Sequence, residues 1–95
     1  MRVISNKALQ DFALIHAQAE KPLQAWRKVI ETNDFASFAA LKMLLNSADR
    51  AGIFYVFDIG GNKYRIVAAI HFNTQKLFVR RVFTHQEYDQ WSATK

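Results

Sequence analysis

Three strand-length segments fill the second half of this chain, and the turns joining them are so short that an antiparallel sheet is their natural common structure. Ile53 to Ile59 (IFYVFDI), Lys63 to Phe72 (KYRIVAAIHF) and Leu77 to Thr84 (LFVRRVFT) are dense in β-branched and aromatic residues, the side chains that suit a pleated, half-buried surface. Gly60-Gly61 predicts a two-residue hairpin turn, because both positions tolerate positive φ. Asn73 to Lys76 predicts a four-residue turn between the last two strands.

The first half reads as helices that cover this sheet. Met1 to Ser5 fits a short strand, and Ser5 or Asn6 can cap a helix running from Lys7 to about Ala19. Leu9, Phe12, Ala13 and His16 recur there at helical spacing, with Leu14 and Ile15 widening the stripe. Glu20-Lys21-Pro22 is a break, and a second helix follows from Leu23 to about Thr32. Trp26 reads as a core anchor between the two helices rather than a ligand platform. Asn33 to Gly52 admits a helix over Ser37–Leu45 or an irregular connection, and ends in the turn-rich Asn46–Gly52. His85 to Trp91 forms a short turn or helix, and Ser92–Lys95 frays. The order implies one α+β domain spanning residues 1–95, an antiparallel sheet with the N-terminal helices packed on one face.

Composition narrows the function classes. With 51% hydrophobic and 14% aromatic residues among 95, the chain is a compact globule rather than a disordered segment. It has no cysteine, which excludes disulfides and thiolate metal sites and points to a reducing cytoplasm. The opening MRVISNKALQDF is no signal peptide, and the longest apolar run, Ile66 to Phe72, is far too short to cross a membrane. A soluble protein without a membrane role is expected. Its formal net charge of +5 favours an anionic partner: nucleic acid, an acidic protein or an anionic surface.

Distribution sharpens that choice. No acidic residue lies between Asp58 and Glu87, while Lys63, Arg65, Lys76, Arg80 and Arg81 all do. If Ile59 opposes Asn62, then Phe57 faces Tyr64, Tyr55 faces Ile66 and Ile53 faces Ala68, all on the buried face, while Asp58 lies across from Lys63. With Phe72 opposite Leu77 and Ile70 opposite Val79, the buried face collects Tyr64, Ile66, Ala68, Ile70, Phe72, Leu77, Val79 and Phe83. Arg81 stays apart near an edge. The opposite, exposed face carries Lys63, Arg65, Val67, Ala69, His71, Phe78, Arg80, Val82 and Thr84. Guanidinium groups grip phosphates through paired donors, and Phe78 beside them can stack on a base. The plain alternative is the solvated side of a half-exposed sheet. Lys42, further upstream, reads by default as solvated surface.

The ending Thr84-His85-Gln86-Glu87-Tyr88-Asp89 supports two readings that can hold together. In one, His85 and Tyr88 exchange protons while Lys63, Arg65 and Arg80 steady the charge that develops when a ribose 2′-hydroxyl attacks its neighbouring phosphate. That chemistry needs neither metal nor cofactor. In the other, T-x-x-E is a capping box, and His85 and Tyr88 are packing residues. There is no HExxH, P-loop or G-x-S-x-G, and His16, His71 and His85 lack metal-site spacing.

The string FDIGGNKYRIVA from Phe57, then KLFVR from Lys76 and T-H-x-E-Y-D from Thr84, closely resembles HigB-type toxins of bacterial toxin–antitoxin pairs, in the RelE-like superfamily. Leu41-Lys42 and Ser47-Ala48-Asp49 also match, and the likeness covers almost the whole chain. The apolar FASFAALKMLL (Phe35–Leu45) departs from the pattern and offers a surface for an antitoxin or a second copy. The resemblance implies a RelE-like α+β fold and a ribosome-dependent mRNA endonuclease, neutralised by a helix-turn-helix, HigA-like antitoxin. It implies functional roles for Arg65, Arg80, His85 and Tyr88. The strand registers, not the resemblance, add Lys63, His71 and Phe78 as candidates for contacting RNA, and Lys42, at a position that matches the family, is a further candidate. A non-catalytic RNA- or ribosome-binding module using the same face is the alternative. Inhibition of a protein such as gyrase, as in the ParE relatives, is disfavoured by the T-H-x-E-Y-D ending.

Overall fold

Two layers of helix enclose one five-stranded sheet in the computed structural model, which describes residues 1–93. The strands are β1 (Arg2–Ile4), β2 (Asp49–Ala51), β3 (Phe54–Ile59), β4 (Tyr64–His71) and β5 (Lys76–Thr84), in spatial order β1-β5-β4-β3-β2. Helices α1 (Asn6–Ile15), α2 (Glu20–Glu31), α3 (Phe38–Leu44) and α4 (His85–Ala93) complete the α+β domain. All contacts are antiparallel except that of β1, which joins β5 in parallel.

The main core lies between the sheet and the N-terminal helices. Leu9 of α1, Leu23 and Ile30 of α2, and Leu41 of α3 are fully buried together with Phe57, Ile66 and Leu77 of the sheet. Trp26 is an anchor as expected, but its ring meets Phe57 edge-on at 5.2 Å, so it joins α2 to the sheet rather than helix to helix.

Helix boundaries differ from the sequence pattern for local reasons. α1 stops at Ile15, because His16 leaves helical geometry at φ −119°, ψ 81°. A single 3₁₀ turn, Ala17–Ala19, leads into α2 at Glu20. The break therefore precedes Pro22, which sits in the first turn of α2, where its missing N–H goes unnoticed. Ser5 adopts φ 80° and makes no side-chain cap, and the Asn6 side chain instead accepts from Gln24 Nε2 at 3.1 Å, tying α1 to α2. The ambiguous middle segment resolves into α3, capped by Ser37 Oγ, which accepts from the Ala40 amide. Within Asn46–Gly52, three residues form the edge strand β2. The frayed end expected from Ser92 is helical through Ala93, and residues 94 and 95 lie outside the described part.

Both hairpin registers lie two residues from the simplest reading. Ile59 pairs with Tyr64, Phe57 with Ile66 and Asp58 with Arg65. The connection is thus Gly60–Lys63, with Gly60, Gly61 and Asn62 all at positive φ. Likewise Ile70 pairs with Leu77 and His71 with Lys76. A slip of two preserves which face each residue occupies, because side chains alternate with period two. The expected faces therefore survive for β3, β4 and the first half of β5.

The second half of β5 does change faces. Ala68 pairs with Val79, but Val67 pairs with Arg81, so a β-bulge inserts Arg80 as an extra residue. Beyond it, Val82 turns to the main core, and Phe83 turns to the opposite face, where its ring lies 5.6 Å from Trp91 of α4. The expectations that Phe83 is in the main core and Val82 on the open face are both reversed by this one residue. α4 lies across that second face, above the buried Val67.

Candidate active site

Arg65 is the only buried charged side chain among the described residues, 7% exposed, and its surroundings explain how a guanidinium is kept there. Burying a charge costs heavily unless it is paired and its donors are filled. Asp58, its cross-strand partner, accepts from Nε at 2.9 Å. Nη1 donates to the carbonyls of Asn62 (3.2 Å) and Tyr64 (3.1 Å), and Nη2 to Asn62 Oδ1 at 2.5 Å. The left-handed turn at Asn62, φ 78°, curls both acceptors back over the strand. Arg65 lies on the predicted face but is not exposed; α4 and the glycine loop enclose it.

α4 brings the histidine and the tyrosine. Its first turn is a reciprocal capping box: the Thr84 amide donates to Glu87 Oε1 at 2.8 Å, and the Glu87 amide to Thr84 Oγ1 at 3.2 Å. The His85 amide also donates to the Lys63 carbonyl at 2.9 Å, pinning the helix start to the glycine loop. The structural reading of T-x-x-E is therefore realised, and it aims His85 inward. His85 Nδ1 lies 3.0 Å from Arg65 Nη2. Arginine only donates, so Nδ1 is the acceptor and the hydrogen resides on Nε2, which faces Asp89 Oδ2 at 3.2 Å. Tyr88, one turn along, covers the guanidinium with its ring, 5.7 Å from Cζ.

Arg80 stands in the bulge on the same face, exposed, with its guanidinium 5.3 Å from the Phe78 ring. Phe78 in turn meets His71 edge-on at 5.4 Å. His71 lies six residues along β4 from Arg65, roughly 20 Å at strand rise. The open face thus holds two clusters: Arg65–His85–Tyr88 at the glycine-loop end, and His71–Phe78–Arg80 along the other half. Lys63 is exposed in the loop beside the first cluster. Lys42 is occupied elsewhere: its ammonium donates to the Ala48 carbonyl at 2.8 Å and pairs with Asp49 at 3.2 Å, clamping α3 to β2 at the far edge of the sheet.

Three residues that position this site escape a simple reading of the sequence. Asp58 was aligned with Lys63 until the register moved by two. Asn62, which the simplest register sets opposite Ile59, sits in G-N-x-x-R with its side chain within reach of Arg65. Asp89 lies four residues after His85, a spacing that puts both on one helix face.

A five-stranded sheet with helices on one face and a short C-terminal helix closing over a buried arginine on the other defines a RelE-like α+β domain. The family model described as HigB_toxin, the RelE-like toxic component of a toxin–antitoxin system, matches residues 19–91. The chain is 38% identical to the mRNA interferase toxin HigB of Escherichia coli (strain K12), over 98% of this chain and 92% of that protein. The same identity and coverage hold for the mRNA interferase HigB of Shigella flexneri. It is 28% identical to the mRNA interferase HigB of Escherichia coli O6:H1, over 95% and 90%. The chain belongs to the HigB toxin family, and its role as the toxic component of such a system implies an antitoxin partner. Among the described residues no helix is long and apolar enough to cross a membrane.

Proposed function

We propose that this protein is a ribosome-dependent mRNA endonuclease that cuts by attack of a ribose 2′-hydroxyl on the adjacent phosphate, and that a helix-turn-helix, HigA-like antitoxin silences it in the cytoplasm. The observation that carries the reading is the Arg65–His85–Tyr88 cluster, set on a cationic sheet face in a chain similar over its length to mRNA interferases.

In the reaction the 2′-oxygen bonds to phosphorus as its proton leaves, the bond from phosphorus to the 5′-oxygen breaks, and that oxygen takes up a proton. The products are a 2′,3′-cyclic phosphate and a 5′-hydroxyl. Arg65, anchored through Nε on Asp58 and through Nη1 on the Asn62 and Tyr64 carbonyls, turns to the phosphate the Nη2 hydrogen it shares with His85 as negative charge builds. A phosphate that draws Nη2 away frees the His85 Nδ1 lone pair to accept the hydroxyl proton, while Asp89 steadies the resulting imidazolium. Tyr88, whose ring covers that arginine, protonates the leaving oxygen. Arg80 grips a neighbouring phosphate, and Lys63 adds charge at the loop.

The test incubates purified protein with ribosomes and a defined message, with and without antitoxin. Fragments ending in a cyclic phosphate, lost on adding antitoxin, are expected. An intact message where a known relative cuts overturns the reading, and salt-sensitive RNA binding with no new ends would establish a non-catalytic binding module instead.

A further inference from the structure

The bulge in β5 delivers a second arginine to the catalytic face that the alternating pattern assigned elsewhere. In a β-bulge two residues oppose one, and here Arg80 and Arg81 together oppose Val67. Arg81 is exposed, and its Nη1 donates only to the neighbouring Arg80 carbonyl at 3.0 Å; neither arginine meets a carboxylate among the described residues. Both line a shallow pocket of about 220 Å³ with Phe54, Val67 and Trp91. Its floor is Val67, fully buried, and its aromatic wall is built from Trp91 against Phe54 (6.3 Å) and Phe83 (5.6 Å). The volume is below the ~300–1,000 Å³ of drug-sized sites, and suits one planar ring. Two cations at the rim, unmatched by acids among the described residues, select an anionic ligand.

We infer that this pocket is a nucleobase subsite: an unstacked base of the RNA lies against Trp91 and Phe54 while Arg80 and Arg81 hold the phosphates on either side of it. RNA is read in this way wherever bases are splayed from a single strand onto aromatic rings. The subsite flanks the Arg65–His85 cluster, since Trp91 is on the same helix as His85 and 6.0 Å from the Tyr88 ring. It therefore sets which nucleotide sits beside the cut. The inference rests on the proposed RNA cleavage for its role, but not for its existence.

Two measurements test it separately. In the first, a short single-stranded oligoribonucleotide is titrated into the isolated protein while tryptophan fluorescence is followed. Quenching in the wild type, absent in Trp91→Leu and weakened roughly tenfold in Arg81→Ala, is expected. Unchanged quenching and affinity in both variants overturns the subsite, whether or not the protein cuts RNA. In the second, cleavage positions are mapped on a message of mixed sequence. Arg81→Ala and Phe54→Leu should raise KM and redistribute cuts among neighbouring nucleotides. A cleavage pattern identical to wild type in both overturns the assigned role. Thermal unfolding of each variant confirms the fold, and Arg81→Ala, at an exposed position, serves if Trp91→Leu does not fold.

Discussion

Asp58 and Arg65 face each other across β3 and β4 with 2.9 Å between carboxylate and Nε, and this pair holds the arginine in its buried position. Arg65 is 8% exposed at its side chain and Asp58 34%. The pair is thus desolvated mainly on the arginine side, and loss of Asp58 strands a buried charge.

Asp58→Asn is accordingly expected to destabilise the fold by about 2 kcal/mol. That is less than the roughly 3–5 kcal/mol of a fully buried pair, because water reaches the site from the Asp58 side. Urea unfolding with an unchanged slope should report it, and cleavage should fall with it as Arg65 loses its aim. A variant as stable and as active as wild type would show that Asn62 alone suffices to hold the guanidinium.

Asn62 separates backbone from side chain. Asn62→Gly keeps the positive φ and removes the side chain that carries Oδ1, so stability should hold within about 1 kcal/mol while activity drops roughly tenfold. Asn62→Ala also forces a Cβ into left-handed backbone and should cost about 1–2 kcal/mol more. Equal stabilities for the two would contradict the turn geometry.

Arg65→Lys should be nearly as inactive as Arg65→Ala. One ammonium cannot reach Asp58, Asn62, Tyr64 and His85 from a single point, whereas the planar fork does. Single-turnover rates on a programmed ribosome provide the check; substantial retained activity in the lysine variant would mean that charge alone is what the site needs.

Arg80→Ala should leave the unfolding free energy within about 0.5 kcal/mol of wild type, since its side chain is exposed on Phe78. Its kcat/KM should nevertheless fall roughly a hundredfold. Fold and function separate at Arg80, as they cannot at Arg65.

Thr84→Ala and Glu87→Ala each break the reciprocal cap and should each cost about 1 kcal/mol. Their combination should cost little more than either alone, because both bonds close one box. Hydrogen exchange over residues 85–91 should quicken, and activity should decline as His85 loses its tether. Additive costs with unaltered exchange would mean that the aromatic contacts of Trp91 hold α4 without the cap.

Much of this arrangement was legible from residue pattern alone. Alternation in Phe54–Ile59 and Tyr64–His71 named the two faces correctly even with both registers off by two, because a period of two forgives a slip of two. Glycine at 60 and 61 announced a turn, and T-x-x-E announced the start of α4. These are local rules, in which each residue is constrained by neighbours a few positions away.

The tertiary structure decided what depends on distant partners. Whether Arg65 is exposed or buried turned on Asp58 across the strand and on α4 folding back over the loop. Whether Arg81 stands apart or beside Arg80 turned on a bulge, whose single extra residue is absorbed where Val67 is buried and must have a partner. Charge, turn chemistry and periodicity along the chain determined that there would be a sheet with one cationic face. Packing across the chain determined which cations on that face are held rigid and which stay exposed at its rim, because only burial and pairing take away a side chain's freedom.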